Sequence, residues 1–134
     1  MLWEWCGVPS KYHSKKITRD GLTFDSLKEY RRFCELRLLE RAGAISELRL
    51  QVPFELIPAQ YETYERYGKN GKRLKDGQKC VEKAVTYIAD FVYIENGKRV
   101  VEDVKGYKGS TAYALFSLKR KLMLYIHGIK INEV

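Results

Sequence analysis

The 134 residues carry 25 Lys+Arg against 17 Asp+Glu, a formal net charge of +8 and a pI of about 9.4. That length suits one domain with its own core, and the basic balance favours polyanionic partners, nucleic acid first and a membrane surface second. No apolar run approaches the ~20 residues that cross a bilayer. Glu4 inside the short apolar start, with basic residues after it, is the wrong order for a signal peptide. Three scattered cysteines (Cys6, Cys34, Cys80) with no CxxC pair argue against a disulfide framework or a zinc site and for a reducing, cytoplasmic setting.

Residues 1–24 lack periodicity and carry Lys11, Lys15, Lys16 and Arg19, which reads as a poorly ordered basic arm ahead of a single domain over 25–134. The stretch 26-SLKEYRRFCELRLLERAG-43 is the first helix, with Ser26 and Glu29 spaced as a capping box and Gly43 as the stop. Leu27, Tyr30, Cys34, Leu38 and Ala42 make its apolar stripe. In 45-ISELRLQVPFELIP-58, Leu48, Leu50, Val52, Phe54 and Leu56 alternate with polar residues, predicting a strand with one buried face. Pro53 assigns it to an edge or a bulge.

Residues 60–84 break the pattern. Their stretch 66–83 holds three glycines and seven Lys+Arg against Asp76 and Glu82, the composition of a basic loop or extended hairpin tip inserted into the domain. Two strand-like runs follow, 85-VTYIADFVYI-94 and 98-KRVVEDVK-105, joined through Asn96-Gly97, the strongest short-range hairpin signal. A second helix over 111–128, with Leu115, Leu118, Leu122, Tyr125 and Ile126 expected on its core side, and a short strand over 129–134 close the chain. The order is α-β-β-β-α-β.

The segment 100-VVEDVKGY-107 sets three charges among core-like valines. With Asn96 and Gly97 as turn residues, Val92 faces Val101, Asp90 faces Asp103 and Ile88 faces Lys105. Asp90, Asp103 and Lys105 then share one face, and Glu102 takes the other. Carboxylates directly opposed, with Cβ atoms ~5 Å apart, destabilise a hairpin. A divalent cation between them would reverse that, and two carboxylates with a backbone carbonyl and waters suit Mg²⁺. The competing reading is an ordinary Asp103–Lys105 surface pair with Asp90 a lone exposed acid.

Asp90 followed across a hairpin by Asp103-Val104-Lys105 resembles the PD-(D/E)XK nuclease signature, with Ala89 where the motif's name has Pro. More narrowly, residues 12–45, 51-QVPFELIPAQ-60, 88-IADFVY-93, 100-VVEDVKG-106 and 118-LKRKLMLYIHGIKI-131 look like a phage and prophage family of small nuclease-like proteins. The resemblance implies a restriction-endonuclease-like α/β core, a mixed central sheet flanked by helices. It implies Asp90 and Asp103 as ligands of Mg²⁺ or Mn²⁺, the Val104 carbonyl as a further ligand, and Lys105 positioning or activating the attacking water. Glu29 matches the extra catalytic and metal-binding acid of many members, though a helix cap needs the same residue.

Several candidates are weaker. Lys119, in the stripe of the second helix, could reach a DNA phosphate or simply snorkel at the stripe's edge. Gln51 lies on the polar face of its strand. Lys15, Lys16, Lys72, Arg73 and Lys75 could track a nucleic-acid backbone or lie in solvated loops. The expectation is a metal-dependent endonuclease, phage-encoded, acting in the host cytoplasm on branched DNA as the small Holliday-junction resolvases it resembles in size do, and as a homodimer by the same analogy. The alternatives are a non-catalytic nucleic-acid-binding module on the same fold, or a nuclease that nicks or processes ends.

Overall fold

The computed structural model describes residues 16–134. In chain order it contains β1 (Ile17–Arg19), β2 (Leu22–Phe24), α1 (Leu27–Arg41), β3 (Ser46–Ile57), β4 (Gln60–Tyr67), β5 (Arg73–Glu82), β6 (Val85–Glu95), β7 (Lys98–Asp103), α2 (Thr111–Leu122) and β8 (Asn132–Glu133). α2 runs on into a π-helical turn, Met123–His127, which ends at Gly128 in the left-handed conformation, φ 67°.

One turn organises the sheet. Asn96 and Gly97 have φ of 51° and 74°, as a two-residue hairpin requires, and they align Glu95 with Lys98, Ile94 with Arg99 and Val92 with Val101. β3 pairs antiparallel with β6, and β8 pairs parallel with β7, giving a mixed sheet in the order β3-β6-β7-β8. Edge position accommodates Pro53 in β3, because its missing N–H faces no further strand.

Each helix covers its own apolar cluster. Leu36 of α1 packs with Ile45, Phe91 and Tyr93, with Phe33, Leu48 and Leu50 against them. Phe116 of α2 and Met123 after it pack with Leu56, Tyr87, Ala89, Val92, Val101 and Ile131, with Val52 and Phe54 against them. The alternation expected along β3 is therefore interrupted. Leu48 and Leu50 go to the α1 cluster, whereas Val52, Phe54 and Leu56 go to the α2 cluster. Gln51 between them has φ 51°, a left-handed residue that turns the strand over. β6 reverses opposite it, with Tyr87 and Ala89 in the α2 cluster and Phe91 and Tyr93 in the α1 cluster. Asp90 is the residue at that reversal.

Three expectations are corrected. The α1 stripe is not the buried one: Leu38 is 65% exposed and Leu27 38%, while Glu29 and Leu36 are buried. In α2, Leu115, Leu118, Tyr125 and Ile126 face outward, Tyr125 at 88% exposure, and the core takes Phe116 and Met123 with half-buried Tyr113. That helix has two apolar stripes, 113/116 and 115/118, and Leu122 packs with the first, beside Met123, on the core side as expected. The two stripes lie two positions apart and so on opposite sides, and the sheet takes the stripe with the larger rings. Finally, residues 17–24 of the basic arm form a hairpin through Asp20-Gly21. Ile17 and Phe24 are buried there, and the Phe24 ring packs against Tyr30 and Phe33.

The basic insertion is regular as well. Ile57 pairs with Val85, closing the β3–β6 hairpin. Beyond that closure β4 and β5 form a separate antiparallel ribbon, from Gln60↔Glu82 to Tyr67↔Arg73. No described helix is long and apolar enough to cross a membrane.

Glu102, on the α1 side of β7, is neutralised where it lies. Arg32 holds both its oxygens at 2.8 Å, and the Tyr93 hydroxyl donates to the same carboxylate. The bond to Glu102 raises the Arg32 guanidinium above its usual range. Removing one partner leaves a carboxylate buried without its cation. Arg32→Ala is expected to lose ~3 kcal/mol of unfolding free energy, read as a lower urea midpoint at unchanged m-value. Arg32→Lys should lose part of it, because the two-pronged bond cannot re-form.

Candidate active site

At the reversal point the Asp90 Oδ2 accepts the Val104 N–H at 2.9 Å, a bond that ties β6 to the end of β7. Asp103 is buried on the α2 side. Its Oδ2 accepts the Tyr87 hydroxyl at 2.6 Å, and its Oδ1 lies 3.0 Å from the Lys105 Nζ. The ammonium of Lys105 also sits 3.8 Å from the centre of the Phe116 ring, so a carboxylate and a π face hold it between them.

α1 contributes from its first turn. Ser26 caps the helix by accepting the Glu29 N–H at 3.1 Å. The Glu29 side chain is buried, and its Oε2 accepts the Asp25 N–H at 3.1 Å. Its Oε1 points the other way and accepts the Gln51 amide at 3.2 Å. Glu29 thus joins the helix entry to the sheet rather than acting as a cap alone. The Gln51 Nε2 lies 3.4 Å from the Asp90 Oδ1 as well, and one neutral amide separates the two acids.

Their charges are not balanced. Burial, then the charge of Asp103, pushes Asp90 up to about 8 against an ordinary 3.8; the Val104 N–H opposes that rise and Glu29 adds to it. Burial is also the main cause that raises Glu29, with the charges of Asp25 and Asp103 adding and Lys105 opposing. The Tyr87 hydroxyl is held well above its usual range, by burial first and by its bond to Asp103 second. Lys105 answers Asp103, while among the described residues Asp90 and Glu29 form no ion pair and keep their protons to higher pH, so three acids meet in a partly desolvated place, every donor an oxygen. That donor set fits a hard divalent cation. Asp90 and Asp103 are the groups on hand, with Glu29 one side chain away, and Val104 shows its N–H to the site, on Asp90. Among the described residues no three His, Cys, Asp or Glu side chains form a ready-made cage.

Other sequence candidates lie apart. The Lys119 Nζ donates to the Thr86 carbonyl at 3.1 Å, an interior bond that keeps it off the acids. Lys16 is exposed, 4.0 Å from Asp25, and Lys15 lies outside the described residues. Lys72, Arg73 and Lys75 belong to the exposed β4–β5 ribbon. Two supporting groups carry no signal in the sequence: Tyr87, one tyrosine among ten, and Lys28, whose ammonium donates to the Lys105 carbonyl.

A family described as a protein of unknown function, DUF1064, matches residues 9–131. The chain belongs to that family. The matched span takes in Glu29, Gln51, Asp90, Asp103 and Lys105 together, so the DUF1064 region holds the whole cluster. No curated protein and no solved structure matches the chain significantly.

The raised Asp90 fixes the direction of a pH effect. Its folded-state value, about 8, lies above the ordinary 3.8 of an unfolded chain. The stability it contributes is complete below about pH 4 and lost as pH rises through about 8. Metal-free wild type should therefore melt at falling temperature across that window. Asp90→Asn should flatten the slope and add about 1–3 kcal/mol at pH 8. Mn²⁺ at pH 8 should raise the wild-type melting temperature and leave Asp90→Asn nearly unmoved.

Proposed function

We propose that this chain is a Mg²⁺- or Mn²⁺-dependent endonuclease of the PD-(D/E)XK type. The observation that carries the reading is the pairing at the β6–β7 junction: two mutually repelling carboxylates, Asp90 and Asp103, with Lys105 ion-paired to one of them. A protein that only binds nucleic acid gains nothing from acids gathered where they would face a polyanion.

In this reading Asp90, Asp103 and the Val104 carbonyl hold the cation, with Glu29 beside them. A bound divalent ion would lower the pKa of a water and neutralise charge on the phosphate. The chain's own residues do the positioning. Tyr87 fixes one Asp103 oxygen and so directs the other toward Lys105. Lys105, steadied by the Phe116 ring, presents its ammonium N–H groups to the attacking water or to a phosphate oxygen. Water adds across one P–O bond, and the departing oxygen leaves with a proton.

The preferred substrate is branched DNA, the setting a phage-infected cytoplasm, and the assembly a homodimer. The outward stripe of α2 supports the last point. Leu115 and Leu118, one turn apart at i and i+3, are 55% and 56% exposed, with Tyr125 beyond them at 88%. A stripe of that spacing is self-complementary across a two-fold axis. Sedimentation should find a dimer for wild type and a monomer for Leu118→Lys; a monomeric wild type removes the dimer from the proposal.

The deciding test incubates wild type and Asp103→Asn with Mg²⁺ or Mn²⁺ and a labelled panel: four-way junction, flap, duplex and single-stranded DNA of one sequence. Cutting by wild type, at least ~10³-fold faster than by Asp103→Asn, is the expected result, with the four-way junction cut fastest. If both bind and neither cuts, the chain is a binding module. Preference for nicked or flapped DNA would replace the junction assignment.

A further inference from the structure

The β4–β5 ribbon stands outside both clusters that hold the fold together. Every residue of its two strands is exposed except half-buried Gly77, including Tyr61 and Tyr67 at 59% and Tyr64 at 50%. Isolated two-stranded ribbons are marginal in water, and this one is held by local devices. The Tyr64 ring lies across Gly77 so closely that a Cβ there would sit 2.5 Å from the ring. Arg73 bridges Asp76 at 3.2 Å and Glu65 at 3.8 Å, and Tyr67 donates to Glu65 at 2.6 Å. These bonds stiffen the ribbon without covering it.

Its charge is polarised along its length. The outer ten residues, 66-RYGKNGKRLK-75, contain five Lys+Arg and no acid. Of the ribbon's four acids, Glu62 and Glu82 lie at the root, beside the sheet, and Glu65 and Asp76, flanking the tip, are taken up by Arg73. Among the described residues Lys69, Lys72 and Lys75 form no ion pair, so the tip presents cations to whatever approaches. A second copy of the same tip would be repelled. A polyanion would be attracted, and the shape narrows which one. A two-stranded ribbon fits the ~12 Å major groove of a duplex. Eight residues of strand span ~27 Å, the rise of roughly eight base pairs at 3.4 Å each.

We propose that the β4–β5 ribbon is a DNA-binding arm that lies in a groove of duplex flanking the site, with Lys69, Lys72 and Lys75 on its phosphates and the exposed tyrosines against the sugar-phosphate wall. The proposal rests on the nucleic-acid reading above and not on cleavage. Its contacts are to the backbone, so the affinity it supplies is salt-sensitive and independent of sequence.

The test measures binding alone, in EDTA, by fluorescence anisotropy of a labelled 30-base-pair duplex across a salt series. It compares the wild type with the triple variant Lys69→Gln, Lys72→Gln, Lys75→Gln. All three side chains are exposed, and circular dichroism checks that the fold is kept. The expected result is a Kd raised ~10- to 100-fold at 0.1 M salt, with a log–log salt slope shallower by about 2–3. Equal Kd and slope for the two proteins would overturn the arm, as would a triple variant that changes self-association and leaves DNA binding intact. Ribbon-dependent binding by a protein that cuts nothing upholds the arm while removing the nuclease. Cutting by a protein whose duplex binding ignores the ribbon removes the arm and leaves the nuclease.

Discussion

Asp90 is held close enough to Asp103 for that charge to raise its proton affinity, and much of the surrounding structure serves to keep them there. β7 shows the contrast within two residues. Glu102 turns to the α1 side and meets Arg32 and Tyr93, which satisfy both its oxygens. Asp103 turns to the α2 side and meets one lysine, one tyrosine and another acid's charge. Both carboxylates of β7 thus have a cation, Glu102 a two-pronged arginine and Asp103 a single lysine. Asp90, by contrast, forms no ion pair among the described residues and meets only the Val104 N–H and the Gln51 amide beside the charge of Asp103.

That arrangement depends on strain in β3. Gln51 is a non-glycine residue in the left-handed region, a conformation that costs on the order of 1 kcal/mol and survives where its surroundings over-determine it. Here two constraints meet. The apolar residues before it belong under α1 and those after it under α2, while its amide is fixed between Glu29 and Asp90. β6 reverses opposite, and the reversal exposes Asp90 at the junction of the two faces. Regular alternation would send Asp90 wholly to one face, away from either Glu29 or Asp103. The irregularity therefore joins acids from three elements.

The hairpin, its register and the opposite fates of Glu102 and Asp103 were legible, because Asn-Gly fixes the turn and a two-residue period fixes the rest. The α-β-β-β-α-β order of the core was legible from pattern, and the mixed sheet came from the resemblance alone; β1–β2 lay outside both. The faces of the helices were not. α1 and α2 each carry more than one stripe at helical spacing, and periodicity alone cannot rank a Leu115/Leu118 stripe below one anchored by Phe116 and Met123. Asp20-Gly21 between two β-rich triplets carried the signal for the first hairpin. The lysines around it, read as the mark of an arm, outweighed that signal. The reversal at Gln51 had no local signal, since glutamine has no preference for positive φ. Nor had Tyr87, whose contact with Asp103 is made by tertiary packing.

The basic balance of the chain is likewise unevenly spread, and the distribution separates two tasks. Around the carboxylates, cations are few and committed: Arg32 to Glu102, Lys105 to Asp103, Lys119 to the Thr86 carbonyl. The insertion between β3 and β6 carries seven Lys+Arg, five of them at its tip, on a ribbon that contributes nothing to either apolar cluster. Further cations beside Asp90 and Asp103 would compete with the metal proposed for them. Placed on a stiff arm beyond a closed hairpin, they can attract a polyanion without doing so. On the proposed reading, the ribbon would supply the attraction for a phosphate backbone without placing a further cation on the acids of the sheet.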